Sequence, residues 1–317
     1  MARICIGLSA EERTASELID AAGKAERAGF AGGWVSDHFH PWNDAQGQSP
    51  FVWSVLGGIS QVSSRIAWQT GVTCPTVRIH PAIIAQAAAT TGTLLPGRFR
   101  LGVGSGEALN EHVLGDPWPE ADVRLEMLEE AVGVIRLLWE GGTKSHRGRH
   151  YTVENARIYS LPEQPPPVYV SGFGPKAIEV AARIGDGLVT TSPSPDDIKA
   201  YRDAGGRGPA QSQLKVCYGP DRDECVATAH RLWANGGLPG ELAQILPTPA
   251  HFEQASQLVT PEMIAESMPC GPDPQAHVDA IQQFVDAGYD EVYVTQIGPN
   301  HDAFLEFYAR EILPRFA

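Results

Sequence analysis

The 317-residue chain has no run approaching the ~20 consecutive apolar residues of a membrane-spanning helix. Its amino-terminal MARICIGLSAEERTA also lacks the apolar centre of a signal peptide. There is no cationic excess: 24 Lys and Arg stand against 38 Asp and Glu, a formal net charge of −14. Nucleic acids and anionic membrane surfaces are bound by basic faces, so neither is expected as a partner. Cysteine is scarce. Cys5, Cys74, Cys217, Cys225 and Cys270 are odd in number, scattered, and form no C-x-x-C pair. That speaks against a disulfide framework and for a reducing compartment, so a cytoplasmic protein is expected.

What is present is an alternation of short apolar runs and amphipathic stretches. Strands are expected at 4–8, 33–39, 65–73, 98–103, 168–172, 187–191, 214–218 and 291–296, nearly all followed by a helix. The clearest helices are 16–28, with Gly29 as its stop, and 121–139, with apolar residues at helical spacing. Residues 141–167 break the rhythm with glycine, asparagine and prolines and read as a hairpin-like insertion. A second irregular region covers 236–271. Eight βα units in a chain 43% hydrophobic predict one (β/α)8 TIM barrel over 1–317 with these two insertions. A doubly wound sheet is the alternative.

The chain is organised around GWVSDHFHPW, residues 33–42. An apolar strand runs into Pro41, which has no amide hydrogen and restricts His40. The chain thus presents Asp37, His38, His40 and Trp42 where a parallel strand ends, the usual place for chemistry in such folds. His38 suits proton transfer near neutral pH; the bland alternative is a packed histidine beside a capping aspartate. His38 and His40 could also form a metal pair. The later strand ends offer Ser171-Gly172, Thr191-Ser192 and Thr295-Gln296, which are poor ligands, so no metal is expected. Gly102, Gly104 and Gly106 do not match G-x-G-x-x-G, which weakens a dinucleotide reading. Glycines here allow close approach of a ligand to backbone, and Glu107 follows them toward the mouth, opposite His38. Ser171-Gly172-Phe173-Gly174-Pro175-Lys176 feeds a helix amino terminus, as an anion site or a tight turn.

SDHFHPW, TGVTCPTVRIHPAIIAQAAAT, LGVGSGEALNE and VYVSGFGPKAIEVAARIGDGLVTTS, in this order, and CGPDPQAHVDAIQQFVDAGYDEVYV near the end carry a resemblance. The chain resembles the F420-dependent branch of the bacterial-luciferase-like superfamily, and is similar in particular to the F420-dependent glucose-6-phosphate dehydrogenases. The resemblance implies a barrel holding the deazaflavin coenzyme F420 in its mouth. It implies His38 as the catalytic base, Glu107 as a second acid/base and Trp42 as a positioning and charge-stabilising indole. Asp37, Ser105, Gly106 and Asn110 would hold the coenzyme. A cis peptide would fall at Gly71–Val72 beneath the ring, and the stretch of Phe173, Gly174, Lys176 and Ala177 would take the tail phosphate. His40 is left as a structural residue.

Three departures shape the expected substrate. Cys74 stands where the dehydrogenase pattern has a cofactor-binding threonine. Two lysines that hold the sugar phosphate fall on Ser194 and Glu266. Without them, and with a carboxylate at one position, a phosphate dianion would meet repulsion. The expected substrate is an alcohol, a hemiacetal or the corresponding carbonyl, with Thr191 and Ser194 lining its pocket, and not a sugar 6-phosphate. The resemblance also implies a homodimer. Competing readings are an FMN monooxygenase on the same barrel, a metal-dependent hydrolase and a non-catalytic coenzyme-binding barrel.

Overall fold

The structure, a computed structural model, describes residues 2–316. Its strands in chain order are β1 (Arg3–Leu8), β2 (Gly32–Val35), β3 (Ala67–Thr70), β4 (Phe99–Val103), β5 (Lys144–Arg147), β6 (Thr152–Ala156), β7 (Val168–Ser171), β8 (Gly187–Thr190), β9 (Ala210–Val216) and β10 (Glu291–Gln296). β5 and β6 form a separate antiparallel pair within 141–167. The other eight close a parallel barrel in the order β1-β10-β9-β8-β7-β4-β3-β2. The region 236–271 is helical, with segments Leu242–Ile245, Pro249–Ser256 and Pro261–Ser267. Among the described residues no helix is long and apolar enough to cross a membrane.

Alternation along each strand divides the residues between two cores. In β1, Ile4, Ile6 and Leu8 face the surrounding helices, while Cys5 packs inside the barrel. The helix Ala15–Ala28 supplies Leu18, Ala21, Ala22 and Ala25 to the outer core. A capping box of Thr14 and Glu17 starts that helix, and Gly29 at φ 100° stops it.

Two strand ends differ most from the sequence pattern. β2 stops at Val35, not at residue 39: the Ser36 amide still donates to Leu8 O of β1, but those of Phe39 and His40 go to the Asn110 side chain instead of a strand partner. β9 starts at Ala210, not at residue 214, because its inward residues Gln211 and Gln213 are polar and bonded inside the barrel.

The barrel interior is filled in layers. At the amino end Glu291 pairs with Arg3 and accepts from Arg100 Nη1 (2.7 Å), Gln211 Nε2 (2.8 Å) and Tyr293 Oη (2.9 Å). Above it Trp34 stacks on Tyr293, ring centroids 4.0 Å apart and planes 8° from parallel. Outside the strands at the same end, Glu26 accepts from Ser63 Oγ (2.7 Å), Arg65 N (3.0 Å) and Ile66 N (3.2 Å). Burial alone would raise its pKa, but these donors outweigh it and hold the carboxyl at about 2.

Candidate active site

At the carboxyl end, Trp34 forms a floor. The Gly71–Val72 peptide above it is cis. A Cβ on Gly71 would lie 2.8 Å from Trp34 Cγ, and one on Gly104 2.9 Å from Val72 Cγ2, so backbone alone fits over the indole. Gly106 has φ 83° and backs onto Cys74. Burial pushes the Cys74 thiol well up, and its sulfur lies 2.9 Å from Thr76 Oγ1, so Cys74 packs the cradle as a neutral thiol. Tyr151, at the tip of the β5–β6 pair, donates through its hydroxyl to Thr76 O (2.9 Å).

The loop after β2 carries the titratable groups. Asp37 is buried and accepts from Thr73 Oγ1 (2.7 Å) and Arg78 Nη2 (3.1 Å). Arg78 also donates through its own amide to Glu111 (2.7 Å). Burial raises the Glu111 pKa, against the pull of that arginine. His38, with a side chain 10% exposed, places Nε2 3.5 Å from Glu11 Oε1. The other oxygen of Glu11 accepts from Ser9 Oγ (2.7 Å) and Ser36 Oγ (2.8 Å).

Asn110 links the two expected acid/base residues. Its Oδ1 accepts from Phe39 N (2.8 Å) and His40 N (3.1 Å), which fixes the amide orientation. Its Nδ2 therefore faces His38 Nδ1 at 3.1 Å and Glu107 Oε2 at 3.4 Å. His38 Nδ1 also lies 3.3 Å from His40 O. A donor and an acceptor thus flank Nδ1, and either tautomer of the ring finds a partner. The imidazole of His40 turns away, its Nδ1 2.9 Å from Leu109 O. Among the described residues no group of three or more His, Cys, Asp or Glu is placed to hold a metal ion. Trp42 tilts against His38 with centroids 5.0 Å apart, and Phe252 packs edge-on against its other side.

On the opposite rim, helix Pro175–Ile184 begins at Gly174 (φ 81°) without a side-chain cap. Its first-turn amides, including those of Lys176 and Ala177, lack a side-chain acceptor, as an anion site requires. The Lys176 ammonium is held by Asp122 at 2.8 and 2.9 Å, and Phe173 is half exposed. Ser105 lies half-buried between Gly104 and Gly106. Thr191 is exposed. Ser194 caps helix Pro195–Asp203 by accepting from Asp197 N at 3.1 Å. Glu266 is exposed on the helix Pro261–Ser267.

Sequence reasoning passed over Glu11, Glu12, Arg78 and Lys215. Glu12 is half-buried, accepts from Trp233 Nε1 (2.6 Å) and Gly298 N (2.7 Å), and is pushed up in pKa by desolvation. Lys215 points inward from β9. A lysine between Leu214 and Val216 in an alternating strand was the available signal; for Glu11 and Arg78 there was none short of the fold itself.

Residues 1–291 match the model of the family described as luciferase-like monooxygenase. An F420-dependent glucose-6-phosphate dehydrogenase of Microbacterium testaceum is 36% identical, over 97% of this chain and 95% of its own. A second, from Mycobacterium tuberculosis, is 34% identical over 99% of this chain and 98% of its own. A solved F420-dependent secondary alcohol dehydrogenase, in complex with an F420–acetone adduct, superposes with a TM-score of 0.92 at 29% identity, covering 99% of each chain. The coenzyme F420-dependent tetrahydromethanopterin reductase of Methanopyrus kandleri shares the fold, with a TM-score of 0.80 at 22% identity over 100% of this chain and 99% of its own.

Proposed function

The chain belongs to the luciferase-like monooxygenase family and is an F420-dependent oxidoreductase, and on that premise we propose that it moves a hydride between F420 and an alcohol, hemiacetal or carbonyl carbon. The observation that carries the acid/base half is the Asn110 amide, which joins His38 to Glu107 across the mouth. At Gly71, Gly104 and Gly106 a Cβ would strike Trp34, Val72 and Cys74, so this stretch offers backbone alone, a surface against which a flat ring can lie. Asp37, Cys74, Ser105 and Asn110 would border that ring. The uncapped turn at Phe173, Gly174, Lys176 and Ala177 would receive the phosphate of the coenzyme tail through its amides.

When bound, F420 supplies the two-electron hydride acceptor or donor. The protein supplies placement and the proton. In the tautomer with Nδ1 protonated and donating to His40 O, the Asn110 amide donates to Glu107 alone and His38 offers the Nε2 lone pair to a substrate hydroxyl. Glu11 Oε1, 3.5 Å from that same nitrogen, then stabilises the imidazolium by its charge. Trp42 walls the substrate side, and Glu107 holds or delivers the second proton. The reverse reaction uses the same groups in the opposite sense.

We place sugar 6-phosphates outside the substrate range. Ser194 is engaged as a helix cap and Glu266 bears the wrong charge, so neither can counter a phosphate. Thr191 and Ser194 would instead border a neutral ligand. A cytoplasmic homodimer belongs to the same proposal; sedimentation of the purified protein tests its oligomeric half. The decisive experiment is a screen of alcohols and sugars, phosphorylated and not, for bleaching of the oxidised deazaflavin band. Bleaching with an uncharged alcohol or hemiacetal is expected. Faster bleaching with glucose 6-phosphate than with any uncharged compound would overturn the exclusion, and bleaching with none would overturn the proposed chemistry.

A further inference from the structure

Gln211, Gln213 and Lys215 share the inward face of β9. Gln211 is spent on Glu291, and Gln213 donates to Thr295 Oγ1 at 3.1 Å. Lys215, next toward the mouth, is the member of this row without a polar partner. Its Nζ lies 4.6 Å from the centroid of the Trp233 ring and makes no hydrogen bond or ion pair with the described residues. The Trp233 indole nitrogen is itself engaged by Glu12. Burial lowers the Lys215 pKa, while Glu11 and Glu12 act in the opposite sense. An ammonium carries three donors, and leaving them without a protein partner in a half-buried position is costly. The indole face answers the charge but none of the three hydrogens.

The indole that faces the ammonium is tied through its nitrogen to Glu12, and the next carboxylate in the chain, Glu11, stands 3.5 Å from His38. That chain of contacts sets the ammonium on the side of the mouth where His38 would meet a substrate hydroxyl. We propose that Lys215 is the substrate anchor: it donates to a second oxygen, adjacent to the reacting carbon, of an uncharged polyhydroxy substrate such as a vicinal diol or sugar hemiacetal. This rests on the hydride-transfer function proposed above and narrows its substrate class. The electrostatics favour a hydroxyl over an anion. Two carboxylates act on the one ammonium, so an incoming phosphate or carboxylate would meet net repulsion, while a neutral oxygen accepts one hydrogen bond without that opposition.

The test is calorimetric titration of D-glucose, and separately of glucose 6-phosphate, into F420-saturated wild type, Lys215→Met and Lys215→Arg. Methionine keeps the stem and removes the donors. A charge-assisted hydrogen bond predicts about tenfold or greater weakening of glucose binding in Lys215→Met, with partial recovery in Lys215→Arg. Near-UV circular dichroism verifies that each variant is folded; where Lys215→Met is not, Lys215→Gln replaces it. Three results would overturn the proposal: equal glucose affinity in wild type and the donor-less variant, no glucose binding by wild type, or tighter binding of glucose 6-phosphate than of glucose. Quenching of deazaflavin fluorescence is followed in parallel. If F420 does not bind, the coenzyme's part fails by itself, and titration of glucose into the free protein still decides for or against Lys215.

Discussion

The two ends of the barrel bury charge in opposite ways. At the amino end every buried carboxylate is answered by protein: Glu291 by Arg3, Arg100, Gln211 and Tyr293, and Glu26 by a hydroxyl and a run of backbone amides. At the carboxyl end Asp37 and Glu12 are answered in the same way, but two charges are not. Glu11 has two hydroxyls and an imidazole at 3.5 Å, and Lys215 has only an aromatic face. Charges whose partners all lie within the chain hold the scaffold. Charges left open at the mouth are complete only when something else arrives. An unanswered buried charge costs stability, which a ligand that answers it returns.

Substitutions at the two ends should separate cleanly, and the largest effect belongs to the mouth. His38→Ala is expected to lower kcat by about 10³-fold or more, with F420 affinity, read by fluorescence quenching, within several-fold of wild type. Full turnover in that variant would remove His38 from its role. At the amino end, Arg100→Met leaves Glu291 short of a cation and should cost about 3–5 kcal/mol in urea unfolding. The folded fraction should retain normal turnover; lost turnover at unchanged stability would erase the distinction between the ends.

Glu26→Gln is the milder version at that end, about 2 kcal/mol at neutral pH, and it has a pH signature. The folded pKa of Glu26, about 2, lies below the ordinary glutamate value of 4.5, so its contribution is complete above pH 4.5 and fades as pH falls toward 2. The stability gap between wild type and Glu26→Gln should close over that window. A gap that is constant with pH would assign the effect to packing. Smallest is Glu11→Gln: a roughly tenfold fall in kcat with unfolding free energy within about 1 kcal/mol of wild type. A large loss of stability there would make Glu11 a scaffold charge like Glu291.

The outer layer of the fold was legible because its pattern is the ordinary one. The helix Ala121–Trp139 and the strand Glu291–Gln296 carry apolar periodicity to their observed ends. The start of β9 was hidden because a barrel lined with glutamines reverses the expected sign of the alternation at Gln211 and Gln213. Of the candidate site, His38 and Glu107 stood out through local patterns, and Asn110 and the cis Gly71–Val72 bond through resemblance. The residues that complete them were not. Glu11 sits in a polar stretch that reads as loop, and its contact with His38 exists only because β1 and β2 are neighbours. Arg78 reaches Asp37 from the far side of β3, a proximity that no spacing encodes.

The β5–β6 hairpin has a consequence for binding kinetics. Glu130 of the helix Ala121–Trp139 accepts from the amides of His150 (3.0 Å) and Tyr151 (2.9 Å), and the Tyr151 hydroxyl grips Thr76 O on the loop that carries Cys74. The wall of the ring cradle is thus clamped from behind by a part of the chain remote from the mouth. A ligand entering that cradle meets a surface whose disorder was already removed during folding. Association there should lose little conformational entropy and need no slow closing step, and its affinity should be as sensitive to Tyr151→Phe as to a change in the cradle itself.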